Sequence, residues 1–370
     1  MDSWLLEFRI NVKMSGKREE FINEISKLIK TMDINCKLVF QSRQKITALY
    51  ANSNRLKVLL QEADEGLFTL DIHTTNIDNP EFKALVNKVD EDIRKLEFAE
   101  IPKTPRYDSL PPLKRGREFS CYDVCEGFIV EKDFDKVVFD EVTSKQHIRI
   151  LHSVAFGNCL YCDNDTNIGE TDYEAFSYAL SGFGRVEYTN KTVLILGGGD
   201  GCIVRRIKDL GASMITAVDY DQRMIDVTKL YFRPICGDVL DSMTGKNYRI
   251  IIEDAEEYLK RAVKNRLKVD VIINDITSIP VSLKNEGNKW IFLRQLLNLS
   301  MEVLKENGIY ICHGNAARHP QYQKLFENAL NKLKYSVTFS KEIAYIPSYQ
   351  ENWIIYLIWK NSKKQGCTHK

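Results

Sequence analysis

Apolar and polar positions alternate along the chain in stretches of different texture. Residues 1 to about 100 mix strand-like runs, EFRINVKM, CKLVFQS, ITALYAN and LFTLDIHTT, with two segments of helical period. KREEFINEISKLIKTM places Phe21, Ile25, Leu28 and Ile29 on one helix face, and PEFKALVNKVDEDIRKLEF does the same with Phe82, Leu85, Val86 and Val89. A small α/β sandwich is expected from them. IPKTPRYDSLPPLKRG follows, where prolines at 102, 105, 111 and 112 withhold backbone donors and Gly116 loosens the chain, so a boundary is expected there. From about 118 to 180, GFIVEKDF, KVVFDEV, QHIRILHS and NCLYCDN read as short strands without a long helical period, an antiparallel meander.

After Tyr188 strand and helix alternate. KTVLIL, SMITAVD, YRIIIED and VDVIIND lead into helices from about 202, 222, 255 and 289, and GIYICHG and WIIYLIW close the series. That rhythm predicts a mostly parallel sheet with helices on both faces, whose ligands lie beyond the carboxyl ends of the strands. The division expected is 1–110, an α/β unit; 111–183, an antiparallel β unit; and 184–370, the doubly wound sheet.

Composition narrows the function classes. The chain is 44% hydrophobic, enough to offset ordering entropy, which excludes disorder. Its 52 Lys+Arg against 51 Asp+Glu leave a net charge of +1, so no global field attracts a polyanion; no basic patch is visible either, and nucleic acid is not an expected partner. No apolar run reaches the roughly 20 residues of a membrane span. The opening MDSWLLEFRINVKM lacks a basic segment followed by an apolar core, and nine scattered cysteines form no disulfide framework, so a cytoplasmic protein is expected. Cys121/Cys125 and Cys159/Cys162 are close pairs. Residues three apart in a strand face opposite ways and a closed zinc site needs four ligands, so no metal site is expected.

The chemistry gathers at strand ends. KTVLIL runs into Gly197-Gly198-Gly199-Asp200-Gly201-Cys202, a turn that lets backbone approach a ligand closely and opens a helix toward it. The next strand ends at Asp219, 22 residues after Gly197 (219 − 197), close to the spacing at which an acidic residue meets ribose hydroxyls. The third ends at Glu253-Asp254-Ala255, where the Asp254 carboxylate and the Ala255 amide suit the polar edges of adenine. The fourth ends at Asn274-Asp275-Ile276-Thr277. A helix N-cap explains any one of these acids, but four in one crevice repel one another unless the ligand is cationic. An Asp inside the glycine turn would also repel the carboxylate of S-adenosylmethionine and attract the bare ammonium of its decarboxylated form, which donates an aminopropyl group to an amine. His152 and His313 near strand ends read as hydrogen-bonded structural residues, and Trp353, Tyr356 and Trp359 as core. The tail KNSKKQGCTHK has no assigned role.

Through VLILGGGDG, TAVDYD, IIIEDAEEYL and VIINDIT the chain resembles the aminopropyltransferases of polyamine synthesis, from about residue 5 to 360. VIINDITSIPVS, SKEIAYIPSYQENWIIYLIWK and an N-terminal extension with LFTLDIHTTN, LVNKVDEDIRKLE and LPPLKRG are similar to the spermine-forming branch rather than the spermidine-forming one. The resemblance implies a Rossmann-like, methyltransferase-type catalytic domain, a central β-domain, and an N-terminal domain like S-adenosylmethionine decarboxylase that makes a homodimer. It implies donor-nucleoside contacts at Gln146, Asp219, Asp254 and Ala255, beside the turn glycines Gly197 and Gly199. Asp200 and Asp275 match the two acidic catalytic positions, with Asp275 the proton acceptor. Tyr349 and Glu351, with Asp200, match acceptor-binding positions. No cofactor or metal is implied, since decarboxylated S-adenosylmethionine is a co-substrate. The implied reaction takes spermidine to spermine and methylthioadenosine; a spermidine- or thermospermine-forming enzyme and a silent dimeric polyamine-binding protein are the alternatives. Two departures stand out. Phe176 replaces the family Tyr in Glu170-x-Asp172-x-x-x-Phe176, so that either Tyr173 or Tyr178 supplies the hydroxyl from a shifted position or that hydrogen bond to the acceptor is missing, and Asp219 replaces the more usual Glu.

Overall fold

Alternation in the first hundred residues resolves into an antiparallel sheet. The structure, a computed structural model, describes residues 2–361 apart from 11–17, 34, 43–46, 53–54, 65–66, 76–79, 97–98, 101–112, 115–121, 126–127, 164, 277–278 and 281–286. Its contacts separate two compact units, 1–132 and 133–370. The first contains β1 (Asp2–Ile10), α1 (Arg18–Met32), β2 (Lys37–Ser42), β3 (Thr47–Asn52), β4 (Leu56–Asp64), β5 (Leu67–Thr74), α2 (Pro80–Arg94), β6 (Ala99–Glu100), β7 (Leu113–Lys114), β8 (Tyr122–Cys125) and β9 (Phe128–Glu131). The sheet order is β2-β3-β4-β5-β1-β6, with β7 also on β1, and β8 pairs with β9 alone. Every second residue points inward: Ala48 and Tyr50, then Leu56, Val58 and Leu60, then Phe68, Leu70 and Ile72 are buried. Against that face the helices press Phe21, Ile25 and Ile29, and Phe82, Val86, Val89 and Ile93. Leu28 and Leu85 are only partly buried. Strand β4, absent from the expected runs, is apolar on its inner face and ends in QEAD, which hid it.

The second unit opens with β10 (Phe134–Val142), β11 (His147–Ser153), β12 (Gly157–Cys162) and β13 (Asp165–Gly169), a four-stranded antiparallel meander. A single turn at Glu170–Asp172 leads into α3 (Tyr173–Leu180), too short a helix to register as a period. There follow β14 (Thr192–Leu196), α4 (Cys202–Asp209), β15 (Met214–Asp219), α5 (Gln222–Tyr231), α6 (Arg233–Cys236), β16 (Tyr248–Ile252), α7 (Ala255–Lys264), β17 (Val269–Asn274), α8 (Asn288–Val303), β18 (Leu304–Ala316), α9 (Pro320–Leu330), β19 (Val337–Ile346) and β20 (Glu351–Lys360). Of these, α6, α9 and β19 lay outside the expected elements; β19 is an edge strand with an exposed outer face.

The sheet runs β16-β15-β14-β17-β18-β20-β19. Its first five strands are parallel, and β20 runs antiparallel between β18 and the edge strand β19. The central strands are buried on both faces, so they read as unbroken apolar runs. Val193 and Ile195 enter one core, Leu194 and Leu196 the other. The first core also takes Ile148, Ile150, Leu160 and Ile168 from the meander. The meander and the doubly wound sheet therefore differ in sheet but share a core, and the compact units divide at 132/133. Chain order reverses between β14 and β17, which opens the crevice where a doubly wound sheet binds its ligand. Most of the expected linker, Cys121 and the tail beyond 361 lie outside the described residues. Among the described residues no helix is long and apolar enough to cross a membrane.

Candidate active site

Strand-end hydrogen bonds carry the ladder one step past the sheet and aim the following residues into the crevice. Gly197 N donates to Val218 O (2.8 Å), Asp275 N to Leu196 O (2.8 Å) and Glu253 N to Asp219 O (2.9 Å). Gly197 and Gly198 both sit at φ 91°, the left-handed region where a Cβ is penalised. A Cβ on Gly197 would also lie 2.9 Å from the backbone oxygen of Asp275, so the absent side chain is what lets the glycine turn lie against the end of β17. That contact brings Asp200 and Asp275 together.

Asp200 is buried at 8% exposure, and its Oδ1 accepts Cys202 N at 2.8 Å, at the start of α4. Burial, then the charge of Asp275, push its carboxyl well above the usual carboxylate range. Neither acid has a Lys or Arg partner among the described residues. Asp275 follows Asn274, whose side-chain oxygen accepts Ile276 N at 3.2 Å and closes a local turn. Oδ1 of Asp275 lies 3.0 Å from Nε2 of His313, the two side chains being only 7% and 9% exposed. His313 was read from sequence as structural. Its place against Asp275 comes from β17 and β18 being neighbours, and no local signal could show that.

Asp219 at the end of β15 is held by two amides. Oδ2 accepts Gly199 N (2.8 Å) and Oδ1 accepts Asp221 N (3.0 Å). Burial raises its carboxyl and those two bonds oppose the rise. The buried Thr228 hydroxyl, 2.8 Å from Gly199 O, braces the other side of the turn. Gln146 donates from Nε2 to Oδ2 of Asp221 (2.9 Å), which ties it to the start of α5, one turn from Asp219. Asp254 caps α7, with Glu256 N and Glu257 N both donating to its Oδ1 (2.8 and 3.1 Å), and Ala255 is buried in that first turn. Capping thus explains Asp254 and Asp221 locally; it does not explain Asp200, Asp219 and Asp275 converging.

The side of the crevice where Tyr349 stands is organised by Asp172. Its carboxylate is fully buried and accepts Gly169 N (2.6 Å), Ser348 N (2.8 Å) and the Ser348 hydroxyl (2.5 Å), so it ties the turn before α3 to the loop before β20. Tyr349 donates to Asn167 O (2.5 Å), and its ring meets Trp353 edge-on at 5.1 Å. Burial and the charges of Asp172, Asp275 and Asp200 raise its phenol. Glu351 is paired with Arg318, Oε2 to Nη1 2.5 Å. Phe176 lies with its ring 5.4 Å from that of His313. Tyr178 is exposed and donates to Phe183 O, and Tyr173 lies under the Arg205 guanidinium at 4.3 Å, so both are engaged away from Asp275.

Cys162 is pushed up to about 12 by burial and then by Asp200, so it stays a thiol. Among the described residues no cluster of His, Cys, Asp and Glu is arranged to hold a metal.

Residues 174–368 match the family described as spermine/spermidine synthase domain. The polyamine aminopropyltransferase of Thermoplasma volcanium is 24% identical over 220 residues, 58% of this chain and 75% of that protein. Thermospermine synthase ACAULIS5 of Arabidopsis thaliana is 25% identical over 225 residues, 59% of this chain and 63% of that one. The crystal structure of spermidine synthase from Thermotoga maritima aligns with a TM-score of 0.55 at 19% identity, over 68% of this chain and 84% of that one, a likeness of fold.

Proposed function

The chain belongs to the spermine/spermidine synthase family, and from that premise we propose that it transfers the aminopropyl group of decarboxylated S-adenosylmethionine to spermidine, giving spermine and methylthioadenosine. One observation carries the reading: Asp200 and Asp275 are buried together at the switch point of the sheet with no Lys or Arg partner among the described residues, and a polycation is the ligand that relieves their repulsion. Asp219 and the amides of the glycine turn would hold the nucleoside, with Gln146, Asp254 and Ala255 around it.

An ammonium has no lone pair, so the attacking nitrogen gives a proton to Asp275 as its pair closes on the carbon beside the sulfonium. The N–C bond forms, the C–S bond breaks, and its electrons stay on sulfur. Methylthioadenosine leaves as a neutral thioether and needs no acid. Holding nitrogen and carbon about 3–3.5 Å apart and in line supplies roughly 7–11 kcal/mol in favourable cases. Tyr349 and Asp200 would meet the acceptor near the reacting nitrogen, and Glu351 would meet a far ammonium. On the same reading the enzyme is cytoplasmic and needs no cofactor, and its N-terminal unit, like S-adenosylmethionine decarboxylase, makes a homodimer.

One contact favours a second reading with putrescine as acceptor: Arg318 already engages Glu351, so the far site is partly neutralised. Purified protein given the decarboxylated donor with putrescine or spermidine, and its products separated by chromatography, decides between them. Preference for putrescine, or thermospermine as product, refutes the spermine reading, and no transfer to either amine refutes the enzyme.

A further inference from the structure

Both ring nitrogens of His313 are engaged. Nδ1 lies 3.2 Å from Nε1 of Trp353, and Nε2 lies 3.0 Å from Oδ1 of Asp275. An indole N–H only donates, so Nδ1 must accept and the imidazole proton sits on Nε2, where it donates to the carboxylate. Trp353 is itself fixed by the edge-on Tyr349 ring and by β20 pairing beside Ala316 of β18, while Phe176 packs against the imidazole. With Oδ1 taken, Oδ2 of Asp275 is left with no side-chain partner among the described residues.

We propose that His313 is a positioning residue for Asp275, with Trp353 holding its imidazole in the Nε2–H tautomer so that Oδ2 faces the amine that attacks. The inference rests on the aminopropyl-transfer reading above and adds to it a residue whose role is orientation. His313 need not exchange a proton with substrate in any step: the proton from the ammonium goes to Oδ2, and the imidazole keeps its own. Phe176 belongs to the same device. An aromatic ring without a hydroxyl at that position offers His313 no competing partner, so the imidazole keeps its bonds to Trp353 and Asp275.

Glutamine is the informative substitution, because its amide N–H₂ can donate to Asp275 while its carbonyl accepts from Trp353. With the full chain, decarboxylated S-adenosylmethionine and whichever amine the wild type uses, His313→Leu should lower kcat by about 10²-fold, the scale of an ångström-level misplacement, with both KM values changed less than about threefold. His313→Gln should recover most of that loss, and Trp353→Phe should lower kcat less than His313→Leu does. Full kcat in His313→Leu, or a His313→Gln variant as slow as His313→Leu, overturns the proposal. Nitrogen-15 NMR of the imidazole reads the tautomer independently of activity: a protonated Nε2 and bare Nδ1 in wild type, relaxing toward a mixture in Trp353→Phe, is expected, and an Nδ1–H tautomer in wild type overturns it. Should the wild type transfer no aminopropyl group, the functional reading fails and the NMR result still decides the geometry. Should His313→Leu fail to fold, the glutamine and Trp353 variants carry the test.

Discussion

Gly199→Ala tests whether the Asp219 carboxylate and the glycine turn act as one donor site. A Cβ at 199 would lie 2.6 Å from Oδ2 of Asp219, 2.9 Å from its Cγ and 3.0 Å from Cγ of Met224, where ordinary contact begins at 3.4 Å. The carboxylate must retreat by about 0.8 Å, which stretches the 2.8 Å bond from Gly199 N to roughly 3.6 Å and ends it. A buried amide then loses a charged acceptor, at about 1.5–3 kcal/mol, and the overpacked turn adds a comparable cost of about 1–3 kcal/mol. For a unit of this size each kcal/mol lowers Tm by about 2–4 °C, so calorimetry should find a fall of roughly 5–25 °C. On the proposed reading the ribose contact moves with the carboxylate. The donor KM should rise about 10–100-fold while the acceptor KM changes little, read from initial rates at saturating amine. An unchanged donor KM in a folded Gly199→Ala protein would refute the reasoning, because the turn would then not hold the donor.

The acidic pair makes stability depend on pH. Asp200 has its folded-state value raised above the ordinary 3.8, so the folded chain holds a proton the unfolded chain has lost, and stability falls as pH climbs from about 4 through the raised value and is level beyond. Tm measured against pH without ligand should show Asp200→Asn gaining on wild type across that window, while its turnover drops by orders of magnitude; parallel Tm curves would contradict this. Asp172→Ala strands Gly169 N and Ser348 N in the interior, and urea titration should find a loss of about 2–5 kcal/mol, with a rise in acceptor KM as the loop carrying Tyr349 loosens. Arg318→Met takes a cation from Glu351. In competition, spermidine should gain on putrescine by about 2–5-fold, the scale of a partly exposed ion pair, and no gain would mean that Glu351 does not meet the acceptor.

Much of the architecture was legible because hydrophobic period is local. Helices α1 and α2 bury the predicted Phe21, Ile25, Ile29, Phe82, Val86 and Val89, and the unbroken apolar runs of β14 and β17 announce strands covered on both faces. Three of the meander strands were legible for the same reason, whereas the run GFIVEKDF forms β9, paired with β8 alone, and the fourth meander strand, β13, was not among the expected runs. Short or edge elements were not: α3 spans two turns, and β19 presents alternate residues to solvent.

The sequence alone determined which residues end the strands, since a glycine turn or an acid directly after an apolar run is a statement about neighbours in the chain. Asp200, Asp219, Asp254 and Asp275 all stand where that rule placed them. Only the tertiary structure decided what those residues touch. Strand order puts β14 beside β17, so Asp200 and Asp275 share one buried space, while Asp254 stays outside as the cap of its own helix. His313, 38 residues from Asp275, and Trp353, a further 40, meet it through the pairing of β17, β18 and β20. Arg318 and Glu351 meet across a gap of the same kind. Burial and partnership are properties of that packing: they set the charge of an acid and the tautomer of an imidazole, and no spacing along the chain encodes either.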